Sequence, residues 1–191
     1  MKPLRVFLIG SALGSSLVGC AGVPAPKTPL TLVRHVEIPR FMGDWFVIAG
    51  IPTWLERGAH NPRESYRLDE DGTVATTFSF NAGSSDGPMK TYRSKGIVVD
   101  TASNAVWAQQ YVWPFKADYR IAYLSDDYRH VVVARDKRDY VWIMSRSPTM
   151  ADADLARLTE FVRSQGYDTE KLERMPQAHG EVAPEPSTIK R

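Results

Sequence analysis

Residues 43–50 read GDWFVIAG: a glycine, a charged residue, then six uncharged residues with a tryptophan at their head. Trp45, Val47 and Ala49 alternate with Phe46 and Ile48, the period of two that a β-strand imposes on its side chains. Gly43, lacking a side chain, allows the backbone to pass close to another element at the start of this strand. Working outward, comparable short runs recur at residues 63–69, 73–80, 91–100, 105–111, 118–124, 130–136 and 139–146. Turn-forming residues separate them: Asp71-Gly72, residues 84–87, residues 101–104, Asp126-Asp127 and residues 136–138. With 44–50 these make eight strands without intervening helices, the pattern of an antiparallel meander. Residues 51–62 form the one long connection.

Alternation assigns the faces. Val74, Thr76, Phe78 and Phe80 share one side of their strand, and Trp107, Gln109 and Tyr111 lie opposite Val106, Ala108 and Gln110. Tyr140, Trp142, Met144 and Arg146 align on the last strand. A flat eight-stranded sheet would expose two edges, which closure removes. After the last strand, Thr149 with Asp152 has the spacing of a capping box, and Ala151, Leu155, Leu158 and Val162 recur at helical intervals before Gly166. The fold class is therefore all-β: an eight-stranded antiparallel up-and-down β-barrel with a C-terminal α-helix packed outside. Its interior has room for side chains or one small ligand.

The ends of the chain differ from the middle. Lys2 and Arg5 precede a short apolar run that closes on Leu17-Val18-Gly19-Cys20, and Cys20 is the sole cysteine. Residues 1–19 read as a signal peptide, too short to span a bilayer as a mature helix, and LVGC resembles the lipobox of bacterial lipoproteins. Cys20 is then the lipidation site and the new N-terminus. More than one acyl chain on it would anchor the chain stably. Ala21, in place of Asp, favours the outer membrane by resemblance to lipoprotein sorting. Residues 20–36, with Pro24, Pro26 and Pro29, read as a semi-rigid tether. Residues 37–175 form the domain, and 176–191 read as a flexible polar tail.

Composition excludes several classes. The chain has 24 Lys plus Arg against 22 Asp plus Glu, and loss of Lys2 and Arg5 with the leader leaves 22 against 22. A balanced domain without a basic cluster is not built for nucleic acid. The four histidines are widely separated, so no metal site is expected, and no cofactor. No G-x-S-x-G surrounds a serine and Cys20 is committed to the anchor, so no catalytic residue is assigned and the chain is not expected to be an enzyme.

Gly43-Asp44-Trp45, Ser125-Asp126-Asp127 and Arg146-Ser147-Pro148, in this order around eight strands, resemble the three sequence motifs of the lipocalins. Over residues 27–175 the likeness is to bacterial outer-membrane lipocalins, with a more distant one to the apolipoprotein D group. The resemblance implies that Trp45 packs in the closed end of the barrel, on Gly43, with Arg146 laid across it. It also implies that Tyr66 and Trp142 face a cavity, with Val47, Ala49 and Tyr140 inward and Phe78 and Trp113 toward the open end. Trp54 and Leu55 would cap the mouth or touch a membrane, and Arg93, Lys95, Lys116 and Arg120 lie on or near rim strands. The middle motif departs from the family pattern, with Asp127 where tyrosine is usual and Tyr128 one place later, which weakens any receptor-docking role for that loop.

The implied function is to bind and store or carry small lipophiles, a fatty acid or lysophospholipid, in envelope maintenance under stress. Its implied location is the periplasmic face of the outer membrane, with a homodimer among its partners. The alternative is a lipid-anchored interaction module with a filled barrel.

Overall fold

A computed structural model describes residues 28–178. The leader, Cys20, Pro24, Pro26 and the tail beyond 178 lie outside the described residues. A four-residue helix α1 (Ile38–Phe41) precedes strand β1 (Gly43–Ile51), which is followed by β2 (Ala59–Leu68), β3 (Val74–Ala82), β4 (Met89–Val98), β5 (Val106–Val112), β6 (Phe115–Leu124), β7 (His130–Ala134) and β8 (Val141–Ser145). Helix α2 (Asp152–Ser164), a 3₁₀ turn (Thr169–Lys171) and a two-residue strand β9 (Glu173–Arg174) follow among the described residues. Each of β1 to β8 pairs antiparallel with its sequence neighbour, and β1 pairs with both β2 and β8, so the sheet closes into an eight-stranded up-and-down barrel. Closure removes the free edges that an open sheet of this size would present.

Two apolar layers hold it. One fills the lower barrel: Phe41, Trp45, Tyr66, Trp107, Ile121 and Met144 are among its buried members. The other lies on the barrel's outside, where Leu158 and Val162 of α2 cover Ile48, Val132, Val141 and Ile143. Both layers are built wholly from the described residues, so residues 28–178 carry their own core.

The register of β1 changes midway. Between Val47 and Ala49 the pairing with β8 slips by one residue, as at a β-bulge, which reverses the faces of all that follows. Ala49, expected to point inward, consequently packs in the outer layer with Ile48 and Ile51. Gly50 stands opposite Trp142, and a Cβ there would lie 2.7 Å from the Val141 carbonyl. The position therefore excludes any side chain.

The connection after β1 is shorter than expected, because β2 begins at Ala59 and not at residue 63. Asn61 and Pro62 suggest a turn, but Asn61 adopts φ +53° within the strand, beside a register shift between His60 and Arg63. β1 pairs with β2 only as far as Phe46 opposite Arg63. Beyond that point Pro62 needs no ladder donor, and the C-terminal segment fills the seam. Met175 N–H donates to Ile48 O, Asn61 N–H to Pro176 O, and Gln177 Nε2 to both Val47 O and Pro62 O. Residues 176–178, expected in a flexible tail, belong to the barrel wall for this reason.

The tether is likewise shorter. Leu30 and Val36 are buried, and Val33 N–H donates to Ile121 O, so residues 28–36 lie on the barrel. Helix α2 starts later than the capping-box spacing suggests: its N-cap is Ala151, with no side-chain cap. Thr149 bonds Ser147 instead, and Asp152 and Asp154 in the first turn suit the helix dipole. Gly166, at φ +87°, ends the helix in the left-handed region.

Candidate functional site

The lower barrel is a plug of aromatic rings. Phe41 of α1 enters from below and meets Trp45 at 5.2 Å, Tyr66 at 5.4 Å and Trp107 at 5.5 Å between ring centroids. Trp45 Nε1 donates to Phe41 O at 2.9 Å, satisfying the one polar atom of a fully buried indole. Outside it lies Arg146, its guanidinium carbon 3.9 Å from the Trp45 ring centroid. Gly43, at φ +92°, passes so close that a Cβ would sit 3.4 Å from Arg146 Nη1. The hydroxyls of Tyr66 and Tyr119 meet 2.7 Å apart at the top of the plug.

Above the plug a cavity of about 220 Å³ opens toward the β1–β2 connection. Phe78, Gln109 and Tyr119 line its depth, Tyr92, Tyr111 and Trp142 its walls, and Trp54, Leu55 and Tyr140 its mouth. Ligand pockets in proteins run to roughly 300–1,000 Å³, so this one suits a single narrow chain with part of the molecule at the mouth. Trp142 Nε1 donates to Glu56 Oε1 at 2.9 Å, and the other oxygen of Glu56 accepts the Thr53 N–H at 2.6 Å. One carboxylate thereby ties the mouth loop to the wall.

Of the residues expected in the pocket, Phe78, Trp142 and Tyr140 line the cavity. Tyr66 is one layer lower, inside the plug, and reaches the cavity only through Tyr119. Val47 packs in the same lower layer, and Ala49 has been turned outward by the bulge. Trp113 is 81% exposed at the tip of the β5–β6 hairpin, where a cis Trp113-Pro114 bond turns the chain, and does not line the cavity. Of the rim cations, Lys95 pairs with Asp71 and Arg120 with Asp118, while Arg93 and Lys116 are exposed. In the middle motif, the Ser125 hydroxyl donates to Asp127 and accepts the Arg129 and His130 N–H groups, so the aspartate closes that turn.

Sequence reasoning passed over Glu56, Glu64 and Arg135, all of which line the cavity. Glu64 lies two residues before Tyr66 on β2, so alternation alone turns it inward; its charge disguised it. Burial, with the charge of Glu56 adding to it, pushes the Glu64 carboxyl up to about 8. Its Oε2 and the Nε of Arg135 are the two buried side-chain polar atoms without a hydrogen-bond partner among the described residues. Burial and these two carboxylates also raise the Tyr111 phenol.

The mouth carries an exposed apolar rim. Trp54 and Phe115 are 74% and 77% exposed, and Met89, Val112 and Trp113 are exposed too, at strand ends and a turn of the same end of the barrel. The amino-terminal segment reaches that end too, because Arg138 in the β7–β8 turn donates to Thr28 O.

A closed barrel with a plugged base, an open apolar cup and an arginine across a tryptophan defines a small-molecule binding protein of the calyx type. A lipocalin-like domain family matches residues 36–177, and the chain belongs to the lipocalins, a family of binding and transport proteins rather than enzymes. It is 27% identical over 165 residues to outer membrane lipoprotein Blc of Escherichia coli K12, covering 86% of this chain and 93% of that one. It is 29% identical over 171 residues to temperature-induced lipocalin-1 of Arabidopsis thaliana, covering 85% and 89%. Among solved structures, insecticyanin from the tobacco hornworm superposes with a TM-score of 0.62 over 81% of this chain and 86% of that one, at 12% identity; this last likeness speaks for the fold.

Proposed function

We propose that the protein binds single-chain lipids, fatty acids or lysophospholipids, with the chain in the cup and the head near the mouth, and stores or carries them at the outer membrane. The observation that carries this reading is the cup itself, open above Phe78 and Tyr119 and walled by Trp142. The filled-barrel alternative meets a barrel filled only in its lower half. Anchoring through acylated Cys20 is supported by the LVGC stretch and by relatives named outer membrane lipoproteins. Thr28 leaves the fold at the mouth, and eight residues of extended chain span roughly 25–30 Å. An anchor at Cys20 would thus keep the mouth near the membrane, with Trp54, Trp113 and Phe115 toward it; aromatic side chains favour that interface. The name of the plant relative links that protein to temperature, which supports a role here in envelope lipid maintenance under stress.

The test uses the chain from residue 21 onward, which lacks the anchor and keeps both core layers. Bound lipid is extracted and weighed by mass spectrometry, and lysophospholipid and fatty acid are titrated against tryptophan fluorescence. Saturation near one ligand per chain, weakened by Trp142→Ala, is expected. A folded protein with neither bound lipid nor a saturable response would overturn the reading.

A further inference from the structure

The cup is apolar in outline but acidic inside. Glu56 and Glu64 both line it, and neither makes an ion pair among the described residues. Glu56 accepts two N–H groups and meets no cation; Glu64 leaves Oε2 buried with no partner at all. The other charges of the cavity have partners of their own, although the Nε of Arg135 stays buried without one. Arg135 pairs with Asp139 at 3.4 Å and lies over the Tyr140 ring, and Asp118 holds Arg120 through both its oxygens at 2.9 and 3.0 Å.

A buried carboxyl without partner is costly to keep in an apolar cavity. One that faces a second carboxylate sits in a field that repels anions and attracts cations. A fatty acid inserted head-first would bring another carboxylate beside Glu56 and the carboxyl of Glu64. An ammonium group would bring a cation and a donor for Glu64 Oε2, the carboxylate oxygen left without a partner. The upward shift of Glu64, caused first by burial and then by Glu56, is the same deficit expressed as a retained proton.

We infer that the cup selects single-chain amphiphiles whose head is an ammonium, with that group drawn down to Glu64 beneath Glu56. This rests on the carrier reading, keeps its single-chain ligand and its cup, and changes two of its details: the head lies inside the cup and not at the mouth, and a free fatty acid is disfavoured. Glu64 would act as the specificity-determining residue, while Phe78 and Trp142 hold the chain whatever its head.

Three probes of equal chain length separate the possibilities: dodecylamine, dodecanol and dodecanoic acid, titrated into the chain from residue 21 at about pH 8.5, where Glu64 is largely ionised and an alkylamine still charged. Dodecylamine is expected to bind at least tenfold more tightly than dodecanoic acid. In Glu64→Gln, which keeps size and removes the charge, that preference should shrink below threefold while dodecanol binding stays within about twofold. Acid binding as tightly as amine, or an amine preference that survives Glu64→Gln, would overturn the assignment and leave the carrier reading standing. Failure of all three probes to bind a folded protein would remove both.

Discussion

Arg146 lies flat on the indole of Trp45, 3.9 Å from its centroid, while Nη1 donates to Asp44 O at 2.8 Å and Nη2 to Arg40 O and Phe41 O at 2.8 and 3.0 Å. The guanidinium therefore does two jobs at once. It covers the outer face of the plug, and it ties α1 and the start of β1 to the residue that follows β8. Burial lowers its pKa, yet a guanidinium stays charged under any ordinary condition.

Replacing Arg146 should consequently cost more than a surface ion pair would. A cation over an aromatic face is worth about 0.5–2 kcal/mol, and a hydrogen bond to a charged group contributes about 1.5–3 kcal/mol net, less for a side chain that, like Arg146, is only half-buried. Arg146→Ala is expected to lower unfolding free energy by roughly 2–4 kcal/mol in urea. Arg146→Lys should recover less than half, since an ammonium cannot reach three carbonyls in one plane. Equal stability of Lys and Arg forms would show that charge alone matters.

The tie between Trp142 and Glu56 yields a second expectation. Trp142→Phe keeps a ring in the wall and removes the N–H that Glu56 Oε1 accepts. The loss of one hydrogen bond to a carboxylate should cost about 1–2 kcal/mol, and the mouth loop should loosen first. Amide exchange at Thr53, whose N–H is held by the same carboxylate, ought to speed up well before that of β8. Unchanged exchange at Thr53 would place the loop's rigidity elsewhere.

The architecture could be read from the chain because alternation, turn residues and the Gly43-Trp45-Arg146 set all point to one closed barrel. The cup was less legible, and the reasons are specific. A single extra residue in β1 carried Ala49 to the outside, and nothing in VIAG announces a bulge. Phe41, which precedes the first expected strand and has no expected role, enters the base and raises the floor, leaving Tyr66 beneath it. Glu64 is the opposite case: its position two residues from Tyr66 was available, but a charged residue in a strand is ordinarily assigned to solvent. Trp113, placed near the open end, is there, and points away from the cavity.

The exposed rim gives a third expectation. Trp113 and Phe115 are largely solvent-exposed in the free chain, and each apolar side chain moved from water is worth about 1.5–3 kcal/mol when fully buried. The chain from residue 21, without its anchor, should bind neutral phospholipid vesicles weakly. Trp113→Ser with Phe115→Ser should reduce the partition coefficient at least tenfold in a sedimentation assay, with the folding midpoint unchanged. An unaltered partition coefficient would mean that the rim does not face lipid.

The last expectation concerns pH, and its sign follows from Glu64. Its ordinary carboxyl value is 4.5, and burial followed by the charge of Glu56 pushes it up to about 8 in the folded protein. Between those limits the native chain holds a proton that the unfolded chain has released, so unfolding free energy falls as pH rises from about 4.5 to 8. One pK unit corresponds to about 1.4 kcal/mol. Solvent reaching the open cup screens part of the shift, and a loss of roughly 2 kcal/mol across the window is expected from this group. Glu64→Gln mimics the protonated form and removes that slope, so the variant should match the wild type near pH 5 and exceed it by about 2 kcal/mol at pH 8.5. Asp71 contributes in the opposite sense and in a separate range, since hydrogen bonds from Thr73 and then Lys95 hold it down at about 2. It cancels when wild type and variant are compared at one pH. Urea unfolding of both proteins at the two pH values decides the matter: the same difference between them at pH 5 and pH 8.5 would mean that Glu64 is ionised throughout, with a partner in the cup that neutralises it.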